Sequence, residues 1–211
     1  MSLWITLCAL GVILSLAGER RSNLVLAATG KLLAATSYIA AAWSLGAAGT
    51  DYGRVLLAGM AFCWMGDLFL VSNNSPRLFL MGLASFLLGH VVYITAFAVH
   101  GVSNTAVLLA GVLMAIFAWQ ILRWLKPSLD DRMRRPVWLY VTAISLMMAF
   151  AVGAYASDGN LAIPAGALLF LLSDLAVARD RFVARGFINR AWGLPLYFSA
   201  QLILASSVDY L

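Results

Sequence analysis

The chain has 211 residues, of which 63% are apolar types and only 11% are charged. An ordinary soluble domain carries about 25% charged residues, so this supply is too small to cover a surface that faces water. The composition therefore predicts a polytopic membrane protein and excludes a disordered tail or a collagen-like chain. The net charge of +5 does not indicate a nucleic-acid partner, because the basic residues follow the predicted topology.

A transmembrane helix needs about 20 mostly apolar residues, and eight segments of the chain approach or meet that length. In chain order they are residues 3–18, 24–45, 54–72, 77–99, 104–123, 136–156, 161–178 and 191–209. The first segment is short and could be a signal peptide, but no basic residue precedes it and no convincing cleavage site follows it. We interpret it as a helix. The predicted fold is all-α, with eight transmembrane helices in one transmembrane domain over residues 1–211.

The basic residues predict which ends of these helices lie together. Those outside the segments or at their edges fall almost entirely in the first, third, fifth and seventh loops: Arg20, Arg21, Arg77, Arg123, Lys126, Arg132, Arg134, Arg135, Arg179, Arg181, Arg185 and Arg190. The even loops and both tails hold only Arg54. The positive-inside rule places the odd loops in the cytoplasm and both termini outside.

A short pattern occurs in both the third and the seventh segment. Residues 59–68 and 166–175 each contain a glycine, six further residues, a small residue, and then Asp-Leu. His90 follows Asp67 by 23 residues, and Tyr197 follows Asp174 by 23 residues. The pattern predicts two parallel repeats, 1–103 and 104–211, and membrane folds often place a site between such halves. Chance similarity between apolar helices is the alternative.

Three charged residues lie inside the predicted helices: Lys31, Asp67 and Asp174. Ionisable residues in a membrane cost free energy and usually face the protein interior, so they are candidate functional residues. The rise of 1.5 Å per residue places Lys31 about 10 Å, and the two aspartates about 8 Å, from the cytoplasmic ends of their helices. The three side chains are therefore predicted to share one layer in the cytoplasmic leaflet, where Lys31 and Asp67 could also form a purely structural ion pair.

Other polar side chains are predicted to join this layer. His90 and Tyr93 share one face of the fourth helix with Phe86. The remaining candidates are Tyr140, Ser173, Tyr197 and Gln201. Tyr140 could instead be an interfacial anchor, and His90 or Gln201 could be ordinary interhelical hydrogen-bonding groups.

The residue types limit the chemistry that these segments can perform. The two histidines are too few for a zinc hydrolase of the membrane ceramidase type, and neither a serine-hydrolase G-x-S-x-G pattern nor a Walker loop is present. Cys8 and Cys63 lie in apolar segments, where cysteine behaves as a small hydrophobe, so a disulfide or a Cys-based metal site is not expected. Paired carboxylates remain, one able to donate a proton and the other to activate water or stabilise a cation.

The ordered set of polar residues resembles the YhhN family of bacterial and animal lysoplasmalogenases. The matching stretches are Lys31, Gly66-Asp67, Phe86 with Gly89-His90 and Tyr93, Gly166 to Phe170 with Ser173-Asp174, and Leu194 to Tyr197 with Ala200-Gln201. The resemblance implies hydrolysis of the vinyl ether bond of a lysoplasmalogen, giving a fatty aldehyde and glycerophosphoethanolamine or glycerophosphocholine.

The resemblance also implies roles for these residues. Asp67 and Asp174 would be the catalytic pair, one the general acid and the other the group that activates water and stabilises the cation. The expected substrate-binding residues are Lys31, His90, Tyr93, Tyr140, Ser173, Tyr197 and Gln201. No cofactor or metal is expected, the partners are the lysophospholipid substrate and membrane lipids, and the location is a bacterial cytoplasmic membrane.

Two other classes of protein fit the same features. Repeated halves with buried charges are typical of proton-coupled transporters. A structural, regulatory or lipid-binding membrane protein could use the same charges only to hold its helices together. A transporter would move a substrate without forming a product, and a structural protein would lose stability rather than a specific reaction when an aspartate is replaced.

Overall fold

The computed structural model describes residues 1–71 and 75–210. Within these residues the chain forms eight long α-helices and no strand, as predicted. The helices are α1 (Ser2–Arg20), α2 (Leu24–Ser44), α3 (Asp51–Phe69), α4 (Pro76–His100), α5 (Asn104–Leu125), α6 (Asp131–Asp158), α7 (Ala162–Ala178) and α8 (Phe187–Ser206). Each predicted segment corresponds to one helix, although the expected end of the third segment, residue 72, lies outside the described residues.

Short polar side chains define where several helices begin. The Asn23 side chain accepts a hydrogen bond from the Leu26 amide at the start of α2, and Thr50 accepts one from Gly53 at the start of α3. Asp130 caps the Met133 amide, so α6 begins at Asp131 rather than at the predicted residue 136. A capping side chain satisfies an amide that has no partner inside the helix.

The helices have the length and composition of a membrane protein. Seven of the described helices are long and apolar enough to cross a bilayer. The exception is α3, whose 19 residues include Asp51, Arg54 and Asp67. Large apolar side chains cover the outer surface, as on α5, where Leu108 is 70% exposed. A surface of this kind is stable in lipid rather than in water, so the protein is an integral membrane protein.

The chain folds as four consecutive helical hairpins, α1–α2, α3–α4, α5–α6 and α7–α8. Six helices form a closed ring through the successive contacts of α2 with α3, α3 with α4, α4 with α6, α6 with α7, α7 with α8, and α8 with α2. Outside the ring, α1 packs on α2 and α8, while α5 packs mainly on α6. The interior of this ring holds Lys31 of α2, Asp67 of α3 and Asp174 of α7.

The α1–α2 hairpin is closely packed because small residues face each other. A Cβ atom added to Gly11 would lie 2.6 Å from the Gly30 carbonyl oxygen, and one added to Gly30 would lie 2.4 Å from the Ser15 amide nitrogen. Both distances are too short for any side chain. Small residues let membrane helices approach to backbone contact, where dispersion attraction is strongest.

The connections between helices separate into two groups, as the basic residues predicted. At the basic end, Glu19 of α1 pairs with Arg190 of α8, and Phe79 of α4 contacts Phe182 in the α7–α8 connection. At the opposite end, the α4 terminus meets the α6 terminus through a 2.6 Å contact between His100 and Asp158. The odd connections therefore share one end of the molecule.

Candidate active site

Asp67 is held by a cation and by a phenol deep inside the helical ring. The Lys31 ammonium of α2 lies 3.6 Å from Oδ1 of Asp67, and the side chains are 14% and 2% exposed. The Tyr197 hydroxyl of α8 donates a 2.6 Å hydrogen bond to Oδ2. Both carboxylate oxygens are thus engaged, and Lys31 compensates a negative charge on Asp67.

A chain of hydrogen bonds fixes Tyr197 in this position. Its oxygen accepts a 3.3 Å hydrogen bond from the amide of Gln201, and lies 3.3 Å from the Tyr38 hydroxyl. Tyr93 in turn donates a 2.7 Å hydrogen bond to the carbonyl oxygen of the Gln201 amide. Buried networks of this kind make an arrangement rigid when their members are satisfied. The phenol of Tyr197 therefore points at Asp67 in a single orientation.

Asp174 lies in a second cluster, beside a phenol and an imidazole. The Tyr140 hydroxyl of α6 donates a 2.9 Å hydrogen bond to Oδ2 of Asp174. Nε2 of His90 lies 3.0 Å from the Tyr140 oxygen and 3.4 Å from the same Oδ2. With the phenolic proton directed to Asp174, the Tyr140 oxygen is left to accept a hydrogen bond from Nε2 of His90, and Nδ1 of His90 has no hydrogen-bond partner among the described residues. The side chain of Asp174 is 17% exposed, more than that of Asp67.

Aromatic rings separate the two clusters. Phe170 contacts His90 with ring centres 4.8 Å apart and Tyr197 with ring centres 5.2 Å apart. Phe86 packs edge-on against both Phe170 and Tyr197, with ring centres 6.3 and 5.7 Å apart. These rings exclude water between the clusters and fix the side chains on either side.

Each carboxylate is contacted by a residue from the other half of the chain. His90 follows Asp67 in the first half, but it contacts Asp174 of the second half. Tyr197 follows Asp174 in the second half, but it donates to Asp67 of the first half. Each predicted repeat thus supplies one carboxylate and the residue that contacts the other carboxylate. The two residues that sequence spacing paired with Asp67 and Asp174, His90 and Tyr197, thus each contact the aspartate of the other half.

Both carboxylates line one cavity of about 280 Å³. Its polar inner part is formed by Lys31, Asp67, Tyr140, Ser173, Asp174 and Tyr197. Its walls are mostly apolar and include Phe117 and Ile121 of α5, Val141 and Ile144 of α6, and Leu171 of α7. At the basic end it reaches Glu19, Asp180, Arg181, Arg185 and Arg190. The cavity therefore joins a carboxylate pair to a charged rim through an apolar space.

The structure divides the predicted site residues into two groups. Six of the nine line the cavity, as just described. Three that were expected to contact a substrate, His90, Tyr93 and Gln201, are fully buried and do not line it. His90 contacts the lining residue Tyr140, and Gln201 contacts the lining residue Tyr197. Tyr93 is linked to Tyr197 through Gln201. Their geometry is that of positioning residues, because a ligand in the cavity would touch the tyrosines first.

Ser173 also differs from its expected role. It lines the cavity, but its hydroxyl donates a 2.7 Å hydrogen bond to the Phe170 carbonyl in the preceding turn. A serine whose hydroxyl proton is already hydrogen-bonded within its own helix can only accept hydrogen bonds from a ligand.

Sequence reasoning missed Tyr38 and Phe170. Tyr38 lies seven residues after Lys31, and Phe170 lies four residues before Asp174, so each shares a helix face with a charged residue that was identified. Applying the helical spacing to those charged residues would have found both. Glu19 and Asp180 carry no comparable signal, because they lie at helix ends among several basic residues.

The arrangement is suited to proton transfer. Two carboxylates face one cavity, each with a phenol as its hydrogen-bond donor, and Lys31 lies beside Asp67. Carboxylates, phenols and an imidazole are the groups that acid–base catalysis uses. Among residues 1–71 and 75–210, no group of three or more His, Cys, Asp or Glu side chains is placed to hold a metal ion.

A family model and several relatives match this chain. The model of the YhhN family matches residues 25–208. The chain is 32% identical to lysoplasmalogenase TMEM86A of Bos taurus over 72% of its own length and 64% of the relative. It is 31% identical to lysoplasmalogenase TMEM86B of Sus scrofa, over 77% of its length and 66% of the relative.

A bacterial relative is similar to the same degree. The lysoplasmalogenase of Mycobacterium bovis is 30% identical over 69% of this chain and 56% of the relative. The match to each of these curated relatives thus covers less than two thirds of the relative's length. No solved structure matches the chain. The family match includes all nine predicted site residues, and the chain belongs to the YhhN family.

Proposed function

We propose that this protein hydrolyses the vinyl ether bond of lysoplasmalogens, releasing a fatty aldehyde and a glycerophospho-ethanolamine or -choline. The observation that carries the proposal is the pair of carboxylates, Asp67 and Asp174, lining one mostly apolar cavity. Membership of the YhhN family and similarity to animal and bacterial lysoplasmalogenases support the same activity.

The substrate class follows from the shape and lining of the cavity. A volume of about 280 Å³ is near the lower limit for small-molecule sites, about 300 Å³. It accommodates the reacting end of a single-chain lipid while the remaining chain extends along apolar helix surfaces. By the positive-inside rule, the basic end faces the cytoplasm, so the lipid enters from the cytoplasmic leaflet of a bacterial cytoplasmic membrane, and both termini lie outside.

Asp174 is the general acid in this mechanism. Its Oδ2 accepts a hydrogen bond from Tyr140, and we assign the transferred proton to Oδ1, on the other side of the carboxyl group. That proton is transferred to the β carbon of the vinyl ether, where a C–H bond forms as the carboxyl O–H bond breaks. The π electrons of the double bond form the new C–H bond, and the product is an oxocarbenium ion beside an Asp174 carboxylate.

Asp67 is the permanent carboxylate. With Lys31 and Tyr197 on its two oxygens it is a fixed negative charge that stabilises the oxocarbenium ion. Water adds to the cationic carbon and loses a proton to the Asp174 carboxylate, which restores the acid. The hemiacetal then breaks its carbon–oxygen bond to glycerol, the glycerol oxygen takes the hydroxyl proton, and the aldehyde is released. One water molecule is consumed in the whole reaction.

The direct test is aldehyde release from a lysoplasmalogen by protein purified in detergent. We expect turnover by the wild type and a loss of about 10²- to 10⁴-fold in Asp174→Asn, because the general acid is removed. Asp67→Asn should lose about 10²- to 10³-fold, because the charge that stabilises the oxocarbenium ion is removed. Both variants keep the size and polarity of the side chain, and their melting temperatures check the fold. Near-normal turnover in both variants contradicts the mechanism, and absence of turnover by well-folded wild type contradicts the activity.

A further inference from the structure

The connection between α7 and α8 is a well-defined structure at the rim of the cavity. The side chain of Asp180 accepts hydrogen bonds from the Gly186 amide at 2.8 Å and from Arg190 Nε at 3.2 Å. Asn189, only 1% exposed, donates to Asp180 and, at 2.7 Å, to the Ala184 carbonyl. These bonds tie both ends of the connection together, so the basic residues that it carries are held at fixed places.

The charges on this rim are not balanced. The guanidinium of Arg190 is shared between Glu19 at 2.9 Å and Asp180 at 3.2 Å, so it is compensated. Arg185 lines the same cavity and also the adjoining surface depression next to Arg20. It is exposed, and within residues 1–71 and 75–210 it has no carboxylate partner. The mouth of the cavity therefore presents a guanidinium group available to an anion.

The position of Arg185 needs more than the positive-inside rule to explain it. That rule requires basic residues at this end of the helices but does not require any of them to line a cavity. Arg132, at the start of α6, is an exposed basic residue of the same end that lines neither the cavity nor the depression. Replacing Arg185 and Arg132 in parallel therefore separates a role at the cavity from a general contribution of basic residues to membrane topology.

A lysophospholipid carries an anion close to the reacting bond, because only glycerol separates the ether oxygen from the phosphate. Asp174 and Arg185 line the same cavity, and Arg185 lies in the connection that follows α7, at the basic end. A guanidinium group matches phosphate oxygens with two parallel hydrogen bonds.

We propose that Arg185 binds the phosphate of the lipid headgroup at the mouth of the cavity, and that Arg20 contributes charge from the adjoining depression. This inference rests on the proposed function, since it assumes that a lysophospholipid is the substrate. In this arrangement the rim of the cavity binds the phosphate, and the two carboxylates act on the vinyl ether bond.

The test compares two substrates that share the vinyl ether and differ in the phosphate: an alkenyl lysophosphatidylethanolamine and a 1-alkenylglycerol. For Arg185→Gln we expect KM for the phospholipid to rise roughly tenfold, with kcat within about twofold, because a hydrogen-bonded charge pair is lost. The constants for 1-alkenylglycerol stay unchanged. Arg132→Gln, the matched control, leaves both substrates unaffected, and Arg185→Lys restores part of the affinity. An equal loss on both substrates, or the same loss in Arg132→Gln, overturns the proposal.

A binding experiment separates this inference from the proposed activity. The probe is a 1-alkyl lysophosphatidylethanolamine, whose saturated ether is not hydrolysed by this mechanism. Weaker binding by Arg185→Gln than by Arg132→Gln supports the phosphate site even if the wild type hydrolyses neither alkenyl substrate, and equal binding overturns it. Displacement of the probe by inorganic phosphate at comparable concentrations would make free phosphate the ligand and overturn the headgroup assignment.

Discussion

The two carboxylates of the cavity are similar in sequence but differ in their surroundings. Asp67 is almost fully buried and has a cation on one oxygen and a phenol on the other. Asp174 is more exposed, and its Oδ2 lies against Tyr140 and His90. The same short sequence pattern is thus found in two different environments, and such a difference is what the proposed mechanism requires, with one carboxyl as the acid and the other as a charge.

The largest expected effect is a difference in chemical rescue between the two aspartates. Asp174→Ala should lose about 10²- to 10⁴-fold in turnover, because the proposed general acid is removed, and Asp67→Ala about 10²- to 10³-fold, because the proposed stabilising charge is removed. Added formic acid restores turnover roughly tenfold or more in Asp174→Ala, since a small acid in the vacated space supplies the missing proton. It does not restore Asp67→Ala, whose role is a fixed charge. The measurement is aldehyde release against formate concentration.

Two controls make the rescue specific. Asp174→Asn leaves no vacated space, so formate should not restore it. A bulkier acid such as benzoic acid should be less effective than formic acid in Asp174→Ala. Rescue of Asp67→Ala alone would reverse the two roles.

The Lys31–Asp67 pair is the next feature to break. Lys31→Met leaves the Asp67 carboxylate without its cation, and breaking a buried pair in this way costs about 3–5 kcal/mol of stability. The double variant Lys31→Met with Asp67→Asn removes both charges and should recover most of that stability while staying inactive. Thermal unfolding in detergent, measured beside aldehyde release, checks both statements. A single variant as stable as the wild type would show that the pair carries no charge.

Replacing Tyr197 or Tyr140 tests the same difference between Asp67 and Asp174, with a smaller expected effect on kcat. In the proposed mechanism Tyr197 donates to the ionised carboxylate, and hydrogen bonds to charged groups contribute about 1.5–3 kcal/mol, whereas neutral ones contribute about 0.5–1.5 kcal/mol. Tyr197→Phe should therefore lower kcat more than Tyr140→Phe, roughly thirtyfold against fivefold. Steady-state kinetics on the two variants give the ratio. The opposite order would mean that Asp174, not Asp67, holds the permanent charge.

Much of the fold was predictable because hydrophobic length and charge placement are strong signals in a membrane protein. Each of the eight predicted segments corresponds to a helix, and the basic residues identified the connections that share one end. The beginning of α6 was predicted too late, because the cap at Asp130 extends the helix into a polar stretch that apolar composition does not detect.

The site was predictable only in part. Intramembrane charge identified Lys31, Asp67 and Asp174, and helical spacing placed Phe86, His90 and Tyr93 on one buried face. Spacing along one helix does not determine which residue of another helix lies opposite. The crossed contacts, and the division between residues that line the cavity and residues that support them, depend on how the hairpins close into a ring.

The substitution with the smallest expected effect on activity lies at the end of the molecule opposite the basic connections. The Tyr52 hydroxyl lies 2.5 Å from the Ser207 hydroxyl, and Asn160 donates to the Ser207 carbonyl at 3.0 Å. These contacts join α3 to the end of α8 but line no part of the cavity. Tyr52→Phe should lower stability by about 1 kcal/mol, the usual value for one neutral hydrogen bond, and leave kcat and KM within about twofold of the wild type. Thermal unfolding and steady-state kinetics on the same sample make the test. A loss of turnover without a loss of stability would place part of the reaction at this end, and would contradict the view that catalysis is confined to the two carboxylate clusters.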